Sequence, residues 1–162
     1  MDELKAINNL QKHENYREQF VRLKKALASG FYLEAIFIEY TIIEDRTESI
    51  IRHAGKWDAY LKKLKGREPT LNSKTNYIKL QANSGDKLLK KYFPDTLLDE
   101  ILAWKEERNR LIHALLKQVL TNEEISEIAH TGERLTKEIR SRATNFSRAV
   151  ERKNKTIKGN LI

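Results

Sequence analysis

The chain is expected to fold as an all-α protein, and three features of its sequence predict this. Its 162 residues include only two prolines and six glycines, so few positions interrupt regular structure. Apolar residues recur with the 3.6-residue period of a helix along nearly every segment. Capping signals between these segments separate one helix from the next. We therefore predict an antiparallel bundle of four to five main helices with short helical inserts.

The first third of the chain predicts three helices. A short opening helix covers residues 4–10, and a second carries apolar residues at helical spacing from Tyr16 to Leu27 before Gly30. A long helix follows over residues 31–53 and is closed by Gly55. The β-branched residues of this stretch allow a strand as the alternative. A run of this length without a turn signal favours the helix.

The middle of the chain is less regular and predicts short helices joined by turns. One helix covers residues 57–64 and ends at Gly66, and residues 67–70 have the composition of a turn. Another helix runs through residues 77–80 and ends near Gly85. Asp86 then has the side chain needed to cap a further short helix.

Two long helices are predicted for the last part of the chain. Pro94 precedes a helix over about residues 95–120, and residues 121–124 (TNEE) have the pattern of a capping box that starts the final helix. One face of this final helix is apolar and carries Ile125, Ile128, Leu135, Ile139, Ala143, Phe146 and Val150. We predict a single helical domain over residues 1–152, followed by a basic, frayed tail over residues 153–162.

Composition places this domain among cytoplasmic proteins that can meet polyanions. The absence of cysteine suits a reducing compartment, and the polar N-terminal segment does not resemble a signal peptide. No apolar run approaches the length of a membrane span, so we expect no membrane partner. The formal net charge of +8 raises the local concentration of polyanions such as RNA, although charge alone does not identify the partner.

The segment Arg108-Asn109-Arg110-Leu111-Ile112-His113 carries the strongest functional signal. Asn109 and His113 are four residues apart and share a face of the predicted helix, within reach of the Arg108 side chain. A guanidinium, an amide and an imidazole together can bind a phosphate, orient it and move a proton. We therefore interpret Arg108, Asn109 and His113 as candidate catalytic residues.

Arg108 also falls where the helical pattern asks for an apolar residue. Turning residues 95–120 at 100° per residue places it near the middle of an apolar arc, with Arg110 on the opposite, solvated side. The arc contains Leu97, Ile101, Trp104, Leu111, Ile112, Leu115 and Val119. Burying a guanidinium at that position costs free energy unless a carboxylate pairs with it or it faces a cleft. We predict that Glu39, on the apolar arc of the 31–53 helix, is half-buried and pairs with Arg108 or with nearby Arg46.

The Arg108–His113 segment resembles the motif of HEPN domains, all-α bundles that include many metal-independent endoribonucleases. That motif is an Arg, four to six further residues and a His, with a polar residue often following the Arg. Arg108, Asn109 and His113 match its four-residue form, and the motif lies in a long helix late in the chain. Leu115 replaces the Tyr of the toxin branch that pairs with nucleotidyltransferase antitoxins. The resemblance therefore extends to the wider family rather than to that branch.

The resemblance implies a homodimer in which two motifs form one RNA-cleaving site, without a metal or another cofactor. It also implies a toxin or an anti-phage defence effector, with a possible antitoxin or regulatory protein as partner. The alternative function is a non-catalytic helical module that binds RNA or a protein. A third option is a purely structural oligomer. The structural interpretation of the motif is that His113 bonds to a backbone carbonyl and Arg108 is paired internally.

Other residues are weaker candidates. Arg46 and His53 form a second Arg–His match, with Thr47 after the Arg, and we interpret it as coincidental. His13, His53 and His130 lie in polar segments and are expected on the surface, and no motif predicts a metal site. RNA contacts are predicted at Lys105, Arg110, Lys117, Arg148 and Arg152. The cations near the C-terminus equally suit a solvated helix end.

Overall fold

Seven helices make up the fold in the computed structural model, which describes residues 9–159. They are α1 (Asn9–Ala28), α2 (Tyr32–His53), α3 (Trp57–Leu64), α4 (Leu71–Asn83), α5 (Lys87–Tyr92), α6 (Asp95–Ala114) and α7 (Asn122–Gly159). This confirms the predicted all-α bundle with short helical inserts. Within the described range, none of these helices has both the length and the apolarity that crossing a bilayer requires. The predicted opening helix over residues 4–10 lies outside the described residues, apart from its last two positions.

Helices α2 and α7 form the centre of the bundle and run parallel to each other. Glu39 of α2 lies against Gly132 of α7. Further along both helices, Arg46 and Arg140 line the same groove. Helix α6 runs antiparallel to α7, because Trp104 donates a 2.9 Å hydrogen bond from Nε1 to the carbonyl of Ile128 near the start of α7. Helix α6 is therefore also antiparallel to α2.

Local sequence signals explain most helix ends. Gly55, two residues after the end of α2, adopts a φ of +68°. This left-handed backbone conformation costs glycine little free energy because glycine has no Cβ. Asp86 caps α5, since its side chain accepts a hydrogen bond from the Leu89 amide. Thr121 and Glu124 form the predicted capping box, in which each side chain accepts a hydrogen bond from the other residue's backbone amide.

Helix α4 begins six residues earlier than the sequence predicts. Thr70 is its N-cap and accepts a hydrogen bond from the Ser73 amide, while the Ser73 hydroxyl accepts one from the Thr70 amide. The serine does what a glutamate does in the usual capping box. The first turn then buries Leu71 completely, which favours the early start.

Helix α6 ends at Ala114, so its predicted extension to residue 120 is wrong. Beyond Ala114 the chain turns, with the amides of Lys117 and Gln118 both bonded to the Ala114 carbonyl. Leu116 and Val119 are 100% and 97% exposed, so further helix here would bury no apolar surface. The turn reverses the chain, and α7 can then pack back along α6.

The apolar face predicted for α7 is the one that enters the core. Its buried members are Ile128, Leu135, Ile139, Ala143 and Phe146, with Ile125 and Val150 partly buried. The helix does not stop at residue 152, since it continues to Gly159 through the segment predicted as a frayed tail. The side chains of residues 153–157 are all exposed.

Glu39 occupies the contact between the central helices. It is fully buried, and neither carboxylate oxygen has a hydrogen-bond partner. The prediction that it is half-buried and pairs with Arg108 or Arg46 is therefore wrong. Burial, together with the nearby charge of Glu133, raises the pKa of Glu39 to about 9. The carboxyl is protonated at neutral pH, which explains how it persists without a cation.

Gly132 should be essential to this contact. A Cβ at that position would overlap Glu39 Oε2 and lie 2.7 Å from Trp104 Cζ2. We expect Gly132→Ala to lower the free energy of unfolding by about 1–3 kcal/mol, because overpacking outweighs alanine's higher helix propensity. Urea unfolding at one fixed protein concentration measures this. Ser141→Ala, on the exposed side of α7, is the control. Equal stability of Gly132→Ala and the wild type would contradict the close packing.

The raised pKa of Glu39 makes stability depend on pH. Between the ordinary glutamate value of 4.5 and about 9, the unfolded chain loses this proton while the folded protein keeps it. The wild type therefore loses up to about 1.4 kcal/mol of stability per pH unit in this window. Glu39→Gln cannot titrate, so its Tm relative to the wild type should rise steadily from pH 5 to pH 8. A difference that stays constant over this window would mean that Glu39 is ionised in the fold.

Candidate functional site

The predicted catalytic segment lies on the last two turns of α6. The Trp104 hydrogen bond to Ile128 fixes the preceding turn against α7. One turn later Arg108 and Asn109 are half-buried, and His113 is exposed near the helix end. The three side chains therefore occupy the boundary between the core and solvent.

Within the described part of the chain, Arg108 contacts an aromatic ring and an amide, and no carboxylate. Its guanidinium carbon lies 4.5 Å from the centroid of the Tyr40 ring, and Nη1 donates a 3.1 Å hydrogen bond to Asn109 Oδ1. Its Nε is buried and has no hydrogen-bond partner. Stacking on a ring compensates part of the cost of partial burial. Of the four N–H donors on Nη1 and Nη2, one bonds Asn109 and three make no hydrogen bond within the described residues.

Tyr40 is held on α2 beneath this cation. Burial raises the pKa of its hydroxyl, as does the charge of Glu44, while the positive charge of Arg108 partly offsets the rise. Tyr40 therefore stays neutral at physiological pH and presents an uncharged ring to the guanidinium. No sequence pattern pointed to this pairing, since it joins residues far apart in the chain.

His113 is available to solvent. It lies one turn after Asn109, and the described part of the protein offers it no hydrogen bond or ion pair at the distances of ordinary contacts. His53 differs, because its Nδ1 lies 2.8 Å from the Ser49 carbonyl and is held by it. His113 therefore lacks the backbone-carbonyl bond of the structural interpretation among the described residues, whereas Arg108 does have internal partners in Tyr40 and Asn109.

Exposed apolar side chains surround this site. Because α2 and α6 are antiparallel, Phe37 and Ile112 lie on the same side of the Arg108–Tyr40 contact. They are 65% and 42% exposed. We call the exposed apolar residues of α2, α6 and the turn after α6 the apolar rim. Its members are Leu33, Phe37, Ile112, Leu115 and Leu116. Thus the last part of the predicted apolar arc of α6 does not enter the core of the protomer.

The two residues predicted to support Arg108 do not reach it. Arg46 donates to the Tyr16 hydroxyl at 2.8 Å and pairs with Asp45 at 3.0 Å. It also stacks on the Tyr16 ring at 4.1 Å. Glu39 makes no polar contact at all. Sequence periodicity placed both residues on the inner face of α2 but could not identify their partners.

The predicted RNA-contacting cations fall into two groups. Lys105, Arg110 and Lys117 lie on α6 or in the turn after it, near Arg108, and Lys105 is paired with Glu106 at 2.8 Å. Arg148 and Arg152 lie on the distal half of α7. Arg148 is 20 residues beyond Ile128, which corresponds to about 30 Å along the helix axis. These two cations therefore belong to a different surface.

A basic groove that the sequence did not predict lies elsewhere, and neither Arg148 nor Arg152 lines it. It is a hollow of about 870 Å³ between α1, α2 and α7. Its titratable lining residues are Lys12, His13, Tyr16, Arg17, Lys24, Arg46, Glu48, Arg52, His53 and Arg140. The Arg46–His53 pair interpreted as coincidental lies here. One available signal was the spacing of His13, Arg17 and Lys24, which places them on one face of α1.

Two findings complete the description of the site. Among residues 9–159, no three His, Asp or Glu side chains are grouped so that they could hold a metal ion. No protein-family model, curated protein or solved structure matches the chain.

Proposed function

We propose that this protein is a metal-independent endoribonuclease that cleaves cytoplasmic RNA at a composite active site of a homodimer. One observation carries the proposal: Arg108 is a half-buried cation with no carboxylate partner among residues 9–159, and an exposed imidazole lies five residues further along the same helix. A guanidinium that serves only packing is normally neutralised by a carboxylate. Arg108 instead keeps donors free at a surface where an anion can approach.

The proposed reaction is transfer of the phosphate within the RNA strand. The 2′-oxygen attacks the adjacent phosphorus and the bond to the 5′-oxygen breaks, which leaves a 2′,3′-cyclic phosphate and a 5′-hydroxyl. A neutral imidazole takes the 2′-proton, and an imidazolium gives a proton to the departing 5′-oxygen. Arg108 stabilises the charge on the non-bridging oxygens, and Asn109 holds the guanidinium in place. DNA lacks the 2′-hydroxyl and is not cut.

The need for two imidazoles supports a dimeric site. Each protomer offers one His113, and a single imidazole is poorly suited to act as acid and base together. The apolar rim beside Arg108 is the surface on which a second copy would pack, because exposed apolar side chains of this size favour association. The resemblance to HEPN domains supports the same arrangement and suggests a toxin or defence role controlled by an antitoxin or another regulator.

The second candidate function is a non-catalytic module that binds RNA or a protein through the same surface. The apolar rim favours it, since such a surface would equally suit a partner protein. Binding without strand scission, indifferent to removal of His113, would identify this function.

Cleavage of labelled transfer RNA in EDTA tests the active site. We expect His113→Ala to lower the rate by about 10²- to 10⁴-fold through loss of proton transfer. Arg108→Ala should lower it by about 10²- to 10³-fold through loss of charge stabilisation. The products should carry 2′,3′-cyclic phosphates. His130→Ala and Arg22→Ala, at exposed positions outside the site, are the matched controls.

Two results would contradict this active site. Cleavage that survives both the His113 and the Arg108 substitutions would come from other residues or from a contaminant. Cleavage of the corresponding single-stranded DNA at a similar rate would rule out attack by the 2′-hydroxyl.

The dimer is tested by light scattering coupled to gel filtration. We expect a wild-type dimer at micromolar concentration, and we expect Phe37→Glu to give a monomer because it places a charge in the apolar rim. The monomer should also lose cleavage activity. Leu61→Glu, which changes an exposed apolar residue of α3, is the control and should remain dimeric. A wild-type monomer that cleaves RNA would contradict the composite site.

A further inference from the structure

The basic groove between α1, α2 and α7 combines a concave shape with a large excess of positive charge. Six of its lining residues are lysine or arginine, two are histidine, and a single carboxylate, Glu48, faces them. The groove shares no lining residue with the Arg108 site. The two sites are therefore built from different side chains.

Carboxylates neutralise only part of this charge. Asp45 pairs with Lys12 at 2.7 Å and with Arg46 at 3.0 Å, and Glu48 pairs with Arg52 at 2.8 Å. These pairs fix the wall formed by α2. They do not neutralise the other cations that line the groove.

Three cations of the groove have no carboxylate within ion-pair distance among the described residues. Arg17 and Lys24 are exposed on α1, two helical turns apart, which is about 10 Å along the axis. Arg140 of α7 stacks on the Phe20 ring with its guanidinium carbon 4.3 Å from the centroid. This contact places the Arg140 guanidinium against the wall of the groove formed by α1.

The charged surface continues beyond the groove along α7. Arg140 and Thr144 also border a second, smaller hollow whose lining includes Lys137 and Arg148. Lys137 is paired with Glu133 at 2.5 Å, whereas Arg148 is exposed and has no carboxylate partner in the described chain. Cations therefore follow one another along an extended path rather than surrounding a single point.

We propose that the basic groove binds the phosphodiester backbone of a nucleic-acid strand, with Arg17, Lys24 and Arg140 as the contacting cations. An extended row of unpaired cations matches a ligand with regularly repeated negative charges. Arginine donors in a fixed plane suit phosphate oxygens. An acidic protein surface would present carboxylates in no regular row, so the nucleic acid fits this groove better.

Fluorescence anisotropy with a labelled 20-nucleotide single-stranded RNA tests the proposal. The full-length chain carries His113→Ala, so that binding is measured without cleavage. We expect Arg17→Glu combined with Lys24→Glu to weaken binding at least tenfold. Loss of two phosphate contacts should also make the plot of log K against log salt shallower by about 1.4, at about 0.7 per contact for a single strand. Circular dichroism verifies that the variant is folded.

The matched control changes the same charge elsewhere. Lys62→Glu combined with Lys90→Glu alters exposed lysines of α3 and α5 outside the groove and should keep the salt dependence of the unmodified protein. Parallel titrations with single-stranded DNA, duplex RNA and inorganic polyphosphate distinguish the sources of the phosphate groups. Binding of any nucleic acid that depends on the groove cations supports the proposal.

Three results would overturn it. The groove and control variants could weaken RNA binding equally, which would indicate only a net-charge effect. Polyphosphate could bind while no nucleic acid does, or no polyanion could bind at all. The binding assay does not require cleavage, so its outcome is separate from that of the proposed nuclease. If the wild-type protein cleaves no RNA but the groove binds it, the nuclease is refuted and this inference stands.

Discussion

The contact of Glu39 with Gly132 and Trp104 determines how helices α2, α6 and α7 are arranged. Because residue 132 has no side chain, α7 can approach α2 closely enough to enclose the Glu39 carboxyl. The Trp104 indole covers the same point and is fixed by its bond to Ile128. A buried carboxyl can occupy this position only in its neutral form, and its pKa of about 9 keeps it so. The crossing of α2 and α7 therefore depends both on the absence of a side chain at Gly132 and on the protonation of the Glu39 carboxyl.

Both candidate sites depend on this crossing through α2. Tyr40 follows Glu39 directly and lies beneath Arg108. The position of α2 at this crossing therefore determines where the Tyr40 ring contacts the Arg108 guanidinium. About two and three and a half turns after Glu39, Arg46 and Arg52 face α7 across the basic groove. A shift of α2 along α7 would therefore disturb two surfaces that share no side chain.

The sequence predicted those parts of the fold that local interactions determine. The bounds of α2 and α3 and the caps at Asp86 and Thr121 follow from residues within a few positions of each helix end. The end of α6 did not follow in this way. The apolar pattern continues to Val119, but no neighbouring helix covers that stretch, and periodicity cannot show whether a partner surface exists. The same limit applies to Glu39, whose environment comes from α6 and α7.

For the candidate site, the sequence identified the unusual cation but not what surrounds it. An arginine within an apolar arc must be stabilised by something, and a carboxylate was the natural expectation. The structure supplies the Tyr40 ring and the Asn109 amide instead, which leaves the charge of Arg108 uncancelled. The basic groove escaped prediction because its cations come from three helices and are separated in sequence by more than 100 residues, from Lys12 to Arg140.

The protein has a formal net charge of +8, and the distribution of ion pairs shows which of its cations are neutralised. Many cations of the middle and final helices are paired within the protomer, as in the contacts of Lys79 with Asp99 and of Arg134 with Glu100. Arg17, Lys24, Arg140 and Arg108 have no such partner among the described residues, and they lie in the groove or beside the apolar rim. Cations that no carboxylate neutralises attract anions most strongly, because their field is not cancelled locally. Part of the positive charge that remains available to a ligand therefore lies at the two surfaces for which we propose RNA contacts.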